Sequence, residues 1–467
     1  MATYDLTPVS VPPVHTKYRT IKTRIPVPQS LPIFKKLQQS EPRSMSGQPP
    51  IIWHKADNFI VSDKWGNRWI DWSSGVLITN AGHGRKEIAR ALKDEIDQGL
   101  LASYVFVHEK RAELTTMLQA LSPDPQNYSV FLLSTGSEAT DNCIKMAKTY
   151  ALEKYGAQKR YIISFQNAFH GRTMGAQLAG GMPRLKKWIG RLDPSFVQVP
   201  FPDGYKNADT SFDLFIKTLK AKGVRFKDIA GVITESYQGV GPDFLPVKYA
   251  RQMEAFCREH DIVMTFDEVQ AGFGRTGKMF CFEHYGVKPD LIACGKGISS
   301  SLPIAAVIGR KDIQGLYAPG SMTSTHSGSP LPVAAAIANL KLIKKERLVA
   351  RAAKLGRILV PEVQRIQKKH PSVLGCAQGK GLVAGIQVVK PGTKEPNAEL
   401  ATKINVACLQ KGLLMFAPVG IGGECLKIAP PLTITEDALR ESLQVFEEAI
   451  DQVMQNAESV VNSAGKE

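Results

Sequence analysis

Four short segments place reactive side chains immediately after runs of apolar residues. Leu291 to Cys294 runs into Gly295-Lys296-Gly297, and Ile262 to Phe266 into Asp267-Glu268-Val269-Gln270. Val130 to Leu133 leads to Ser134-Thr135-Gly136-Ser137-Glu138-Ala139, and Tyr161 to Phe165 to Asn167-Ala168-Phe169-His170-Gly171-Arg172-Thr173. In an open parallel sheet ligands bind outside the carboxyl ends of the strands, so chemistry is expected at these four tips. A lysine between glycines at such a tip is poorly placed for a solvated charge. A partly buried amine sheds its proton readily, which suits imine formation. An acid ending a neighbouring strand, Asp267, suits an aromatic ring nitrogen that has to stay protonated. The Gly136 turn would offer N–H groups and a positive dipole end to a phosphate, although taken alone it reads first as a capping turn with Thr135 or Ser137 as the cap. Phe169 reads equally as a platform for a flat ring or as core filler, and Arg172 taken alone as a solvated charge.

One cofactor requires all four features at once. Pyridoxal 5′-phosphate needs a lysine for its Schiff base, an acid on its pyridinium nitrogen, a stacking partner and a phosphate cup. Its protonated ring takes up the electrons left when a bond at the amine-bearing carbon breaks. Lys296, displaced by a substrate amine, is then placed to move the proton.

The four segments, continued through Ala271-Gly272-Phe273-Gly274-Arg275-Thr276-Gly277 and followed by Thr325-His326-Ser327-Gly328-Ser329-Pro330, resemble the class III aminotransferases, the ornithine and 4-aminobutyrate type of fold type I. The resemblance runs from about residue 50 to residue 455. It implies that Lys296 is the Schiff-base lysine, Asp267 the partner of the pyridinium nitrogen and Gln270 the neighbour of the ring hydroxyl. Val269 and Phe169 would cover the two ring faces. Gly136 and Ser137 match the phosphate cup, with Ser134, Thr135, His170 and Glu235 also in the cofactor set. Thr325 matches a threonine that reaches the phosphate of the neighbouring subunit's cofactor, which implies a homodimer with two shared sites. Arg172 falls where 4-aminobutyrate enzymes hold an arginine for the substrate carboxylate. Glu235 matches the gating partner of a C-terminal arginine on the substrate side.

Two positions depart from that pattern. The C-terminal arginine is Lys427 here, and the proline that follows the gating glutamate is Ser236. Lysine is a point charge without the planar two-pronged contact of arginine. The implied activity is transfer of an amino group from an amino acid or ω-amine to a keto acid, with pyruvate and 2-oxoglutarate both open as acceptor. Racemisation or epimerisation is the alternative within the family, by return of the proton to the opposite face. A non-catalytic basic protein that binds nucleic acid is a third reading, weakened by the intact cofactor positions.

The elements that must position these residues alternate along the chain. Apolar strand-like runs (the four above, Ile229 to Thr234 and Ile304 to Ile308) alternate with helical patterns at Glu138 to Tyr150, Tyr249 to Glu259 and Pro332 to Lys345. This predicts an α/β fold with a mainly parallel sheet wrapped by helices. With the resemblance it becomes a large domain around a seven-stranded sheet, with a smaller α+β domain from the chain ends. The expected boundaries are an extended proline-rich arm over 1–50, the N-terminal part of the small domain over 51–75, the cofactor domain over 76–345 and the C-terminal part over 346–467. Two short strands are predicted around a turn at Lys64 to Asn67. Later come strands near Leu382 to Val389 and Leu413 to Phe416, a helix from Val349 to Lys369 and a last helix from Glu436 to about Met454, before a polar tail in the final ten residues.

Composition narrows the alternatives. Of 467 residues, 43% are apolar and 22% charged, which supports a large core and excludes a stapled mini-protein or a disordered chain. Seven scattered cysteines without a CxxC predict reduced thiols and no metal site. The absence of a bilayer-length apolar run or a secretory leader predicts a cytoplasmic protein with no membrane partner. The net charge of +16 comes from Lys and Arg spread along the whole chain, so no nucleic-acid partner is expected and the excess suits anionic small substrates.

Overall fold

The structure, a computed structural model, describes residues 4–464, with side chains through Asn456. Its contacts form two compact units. One is Lys86–Ala353, and the other joins the residues up to Arg85 with those from Lys354 onward.

The larger unit is built on a seven-stranded sheet: β1 Tyr128–Leu133, β2 Tyr161–Phe165, β3 Phe196–Val199, β4 Ile229–Glu235, β5 Val263–Asp267, β6 Leu291–Cys294 and β7 Ala305–Arg310. Their spatial order is β1-β7-β6-β5-β4-β2-β3. Only β7 runs antiparallel to its neighbours; the pairs from β6 to β3 are parallel. The mainly parallel sheet read from the sequence is therefore present. Every residue of β4, β5 and β6 is buried, and strands covered on both faces read as continuous apolar runs rather than alternating ones. The edge strand β3 was not anticipated. It has four residues, alternates between half-buried and buried, and carries Gln198 in its middle, so no apolar run marks it.

The helix Gly136–Tyr155 (α1) packs across β4, β6 and β7. Ala139, Cys143, Ala147 and Ala151, four residues apart, form its buried stripe. These small side chains let the backbones close up. A Cβ added to Gly231 of β4 would lie 2.9 Å from the Ala147 Cβ.

In the smaller unit a six-stranded sheet contains Val14–His15, Thr20–Ile21, Arg68–Asp71, Ile60–Ser62 and Lys55–Asp57, with Leu413–Leu414 pairing parallel to Arg68–Asp71. The expected turn at Lys64 to Asn67 joins two of these strands, and Asp63 accepts from the N–H groups of Trp65 and Asn67. The proline-rich N-terminal stretch also holds a helix, Leu31–Ser40, and its Ile21 and Ile25 pack with Val61, Trp69, Leu409 and Leu414. A second, antiparallel sheet runs Leu374–Lys380, Val383–Val388, Cys425–Ile428. Its first strand, rich in glycine and polar residues, gave no alternation to read. The last helix, Glu436–Ala464, extends past the expected end at Met454, because no glycine or proline interrupts it before Gly465. Of the expected polar tail, residues 465–467 lie outside the described residues. Among the described residues no helix is long and apolar enough to cross a membrane, and no three His, Cys, Asp or Glu side chains are grouped to hold a metal.

Just past β5 the buried Glu268 ties several elements together. Its carboxylate accepts from the Ser236 hydroxyl and from the N–H groups of Cys281 and Phe282, each N–H at 2.9 Å, while the Tyr285 hydroxyl donates to the Ser236 carbonyl. Burial pushes the Glu268 carboxyl up to about 7, against the pull of these donors. Between its ordinary 4.5 and about 7 the native state holds more proton than the unfolded chain, so this group's contribution to stability falls as pH rises through that window. The Ser236 hydroxyl opposes the fall by stabilising the charged form. Ser236→Ala is expected to cost about 1–2 kcal/mol at pH 8 and less at pH 5.5, read from urea unfolding. Equal losses at both pH values would show that the hydroxyl does not serve a charged Glu268.

Candidate active site

Strand register assembles the centre of the site. In the parallel ladder Glu235 lies opposite Asp267, and Asp267 opposite Ala293, so three adjacent strands end together. Two residues beyond β6 stands Lys296, with φ +42° at the start of a tight turn, Lys296–Ile298. A left-handed lysine costs about 1 kcal/mol and persists where the surroundings impose it. Part of that imposition comes from the buried Asn339, whose side-chain amide donates to the Gly297 and Ile298 carbonyls, 2.9 Å each.

Among the described residues none hydrogen-bonds the Lys296 amine. Burial lowers its pKa below the ordinary lysine value, partly opposed by the charges of Asp267 and Glu235. Asp267 is buried, with Oδ2 2.9 Å from His170 Nδ1 and Oδ1 accepting from the Val269 N–H at 3.0 Å. His170 is buried too. Desolvation pulls its pKa down, but the hydrogen bond to Asp267 and the charges of Asp267 and Glu235 leave it raised overall. Its Nε2 has no partner among the described residues. Glu235 accepts from the Phe169 N–H at 3.0 Å and from the Gly239 N–H at 2.8 Å. Desolvation pushes its carboxyl up to about 7, with His170 opposing and Asp267 adding to the rise.

Glycines allow the loops to meet. A Cβ on Gly136 would come within 2.6 Å of Val269 Cγ1, and one on Gly295 within 3.3 Å of the Gly136 Cα. A Cβ on Gly239 would strike the Gln270 amide at 2.3 Å. Val269, Gly136 and the lysine turn are thus in contact, and Gln270 lies against the loop that holds Glu235.

At the start of α1 the capping reading holds. Thr135 is the N-cap, its hydroxyl accepting from the Glu138 N–H at 3.2 Å, and the Glu138 carboxylate takes the N–H groups of Ser134 and Thr135 at 2.9 and 2.8 Å. The N–H groups of Gly136 and Ser137 remain in the first turn, where a helix supplies no acceptor of its own. The Ser137 hydroxyl accepts from the N–H groups of Arg172 and Thr173. Phe169 is half-buried, and the exposed Arg172 holds its guanidinium carbon 5.7 Å from the Phe169 ring centroid.

Thr325 is exposed beside a cavity of about 380 Å³ that Glu138, Asn142 and Lys145 also line. Lys427 is buried in the smaller unit, on Cys425–Ile428 and opposite Gly385. Sequence reasoning missed Asn339, Thr140, Asp141 and the partners of Glu268. Only the spacing of Ser137, Thr140 and Asp141 along one helix face could have signalled any of them.

The residues present fit pyridoxal 5′-phosphate. A half-buried amine with no hydrogen-bond partner among the described residues, a buried carboxylate backed by an imidazole, an aromatic ring and a helix N-terminus converge where the packing is tight enough to require glycine.

The family model for aminotransferase class-III matches residues 43–450. A 4-aminobutyrate aminotransferase of Mycobacterium leprae is 31% identical over 441 residues, 92% of this chain and 97% of that protein. An isoleucine 2-epimerase of Lentilactobacillus buchneri is 32% identical over 432 residues, 89% of this chain and 93% of its own. Among solved structures, a thermostable (S)-enantioselective omega-transaminase from Thermomicrobium roseum superposes with a TM-score of 0.82 at 27% identity, covering 91% of this chain and 98% of that one. The chain therefore belongs to the class III aminotransferases, pyridoxal-phosphate-dependent enzymes of fold type I.

Proposed function

We propose that this enzyme transfers an amino group from a donor whose amine stands away from a carboxylate, as in 4-aminobutyrate, to a keto acid, with Lys296 carrying the cofactor. The observation that supports this most strongly is the unpartnered, partly desolvated Lys296 amine at the strand ends that also present Asp267 and Glu235. Bound there, the cofactor supplies an electron sink for the bond broken at the amine-bearing carbon.

The remaining work falls to the chain. A lysine with a lowered pKa holds more of the neutral amine at neutral pH, so Lys296 Nζ can take a proton from the substrate carbon and return it at another atom. Asp267, oriented by His170 and the Val269 N–H, would pair with the ring nitrogen. Gly136 and Ser137 would hold the phosphate through their N–H groups, Phe169 and Val269 would cover the ring faces and Gln270 would meet the ring hydroxyl. Arg172 is exposed, and its described side-chain contact is with an aromatic face, which leaves its N–H groups available to a carboxylate. The likeness to a 4-aminobutyrate aminotransferase supports that choice of donor. At the acceptor side Lys427 would offer a carboxylate a point charge in place of the planar fork.

A second reading is epimerisation, supported by the likeness to an isoleucine 2-epimerase. Return of the proton to the opposite face would invert the centre without moving nitrogen. We also infer a cytoplasmic homodimer in which Thr325 reaches the partner's phosphate site. Phe106 and Val107 are 77% and 89% exposed, next to exposed Leu100, Leu101 and Tyr104, and the Tyr104 hydroxyl meets Thr323 Oγ1 at 3.1 Å. An apolar loop tied to the Thr325 segment is a surface that a second copy would cover.

Lys296→Ala is expected to abolish multiple turnover while non-covalent cofactor binding persists, with borohydride fixing the cofactor to the native protein and not to the variant. Appreciable turnover by the variant would refute the role of Lys296. Arg172→Ala is expected to lower kcat/KM for carboxylated donors by about tenfold or more relative to plain amines; equal losses would remove Arg172 from recognition. Loss of optical purity from a chiral amine without keto acid, and without a carbonyl product, would favour epimerisation over transfer.

A further inference from the structure

We propose that the Ser137 hydroxyl is a positioning group for Arg172, coupling the phosphate cup to the substrate-reading loop, and is not itself a phosphate ligand. This rests on the reading that Arg172 receives the substrate carboxylate.

The hydrogen-bonding capacity of the hydroxyl is already filled. A serine oxygen has two lone pairs and one proton. The N–H groups of Arg172 and Thr173 point to its two acceptor positions at 3.0 and 3.1 Å, and Thr173 Oγ1 lies 2.8 Å away. The proton of Thr173 Oγ1 has an acceptor of its own, the Ser137 carbonyl at 3.4 Å. That leaves the Ser137 proton to Thr173, with none for a phosphate oxygen. The Ser137 N–H, by contrast, lies in the first turn of α1, where the helix offers it no acceptor.

The bond is one of three along a single helix face. Ser137, Thr140 and Asp141 are spaced i, i+3, i+4 and each grips the following loop. The Thr140 hydroxyl donates to the His170 carbonyl at 2.6 Å, and Asp141 Oδ1 accepts from the Ala176 N–H at 2.5 Å, at the helix Met174–Ala179 (α2). The seam is tight enough to dictate glycine twice. Gly171 has φ +128°, and a Cβ there would sit 2.2 Å from Ser137 Oγ; a Cβ on Gly175 would sit 2.6 Å from Asp141 Oδ1. The helix that presents N–H groups to a phosphate therefore also fixes the backbone of the arginine two residues beyond His170. One residue does both, through its main chain on one side and its side chain on the other.

The test is Ser137→Ala, with Ser137→Thr as the conservative rescue and Arg172→Ala in parallel. Apoenzyme titrated with pyridoxal 5′-phosphate and followed by visible absorbance gives cofactor affinity; a carboxylated ω-amine and a plain amine of equal length give donor discrimination. For Ser137→Ala we expect a cofactor dissociation constant within about threefold of wild type. The ratio of kcat/KM between the two donors should fall about tenfold, chiefly through KM, and recover in Ser137→Thr. A cofactor affinity weakened tenfold or more with the donor ratio unchanged would make the hydroxyl a phosphate ligand and overturn the proposal. An unchanged ratio with unchanged affinity would overturn it as well. If Arg172→Ala also leaves the ratio unchanged, the carboxylate reading itself fails; if Arg172→Ala collapses the ratio and Ser137→Ala does not, only the coupling fails.

Discussion

The site depends on the alignment of three parallel strands whose ends carry ionisable groups into a region that disfavours charge. Desolvation acts on Lys296, Glu235 and Glu268 alike, pushing the amine and both carboxyls towards their neutral forms. What differs is the set of donors each group meets. Asp267 meets an imidazole and one backbone N–H, Glu235 two backbone N–H groups, Glu268 two N–H groups and a hydroxyl, and the Lys296 amine no described partner. A slip of one residue in the ladder between β4 and β5 would put Glu235 and Asp267 on opposite faces, since side chains alternate across a strand.

Above the strand ends a second layer of constraint comes from α1. Its small-residue stripe lets it sit close to the sheet, and that closeness brings its N-terminus onto Val269 and the lysine turn. The same turn of helix grips residues 170–176, so the loop that carries Phe169, His170 and Arg172 has little independent freedom. Glu235 fixes the loop from the other side through the Phe169 N–H. Phe169 is thereby held between a strand end and a helix start.

Much of this was legible in the sequence because buried parallel strands leave a plain record. β4, β5 and β6 are apolar at nearly every position, and the change to Glu235, Asp267 or Gly295-Lys296 marks where each one ends. The record fails where packing decides. β3 and Leu374–Lys380 are only partly buried and carry polar residues, so their strand character comes from their neighbours. Asn339 lies more than forty residues from the turn it supports, among the buried, mostly apolar residues of the helix Pro330–Lys345. Local pattern could suggest a capping turn or an anion cup at Gly136, but not which N–H groups Glu138 and Thr135 consume.

Ser236 shows how a departure from a family pattern acquires meaning only in three dimensions. By sequence it is the residue after Glu235, so a change there suggests altered handling of Glu235. Yet the Glu235 carboxylate is met by Phe169 and Gly239, while the Ser236 hydroxyl donates to Glu268. The Ser236 N–H points to the Asp267 carbonyl at 3.4 Å, a contact that proline could not make. Both bonds from Ser236 run towards β5, and adjacent residues on a strand send their side chains to opposite faces. The substitution therefore acts on the support beneath Asp267, where a hydroxyl relieves a buried carboxylate, and Glu235 keeps its own two donors whichever residue follows it.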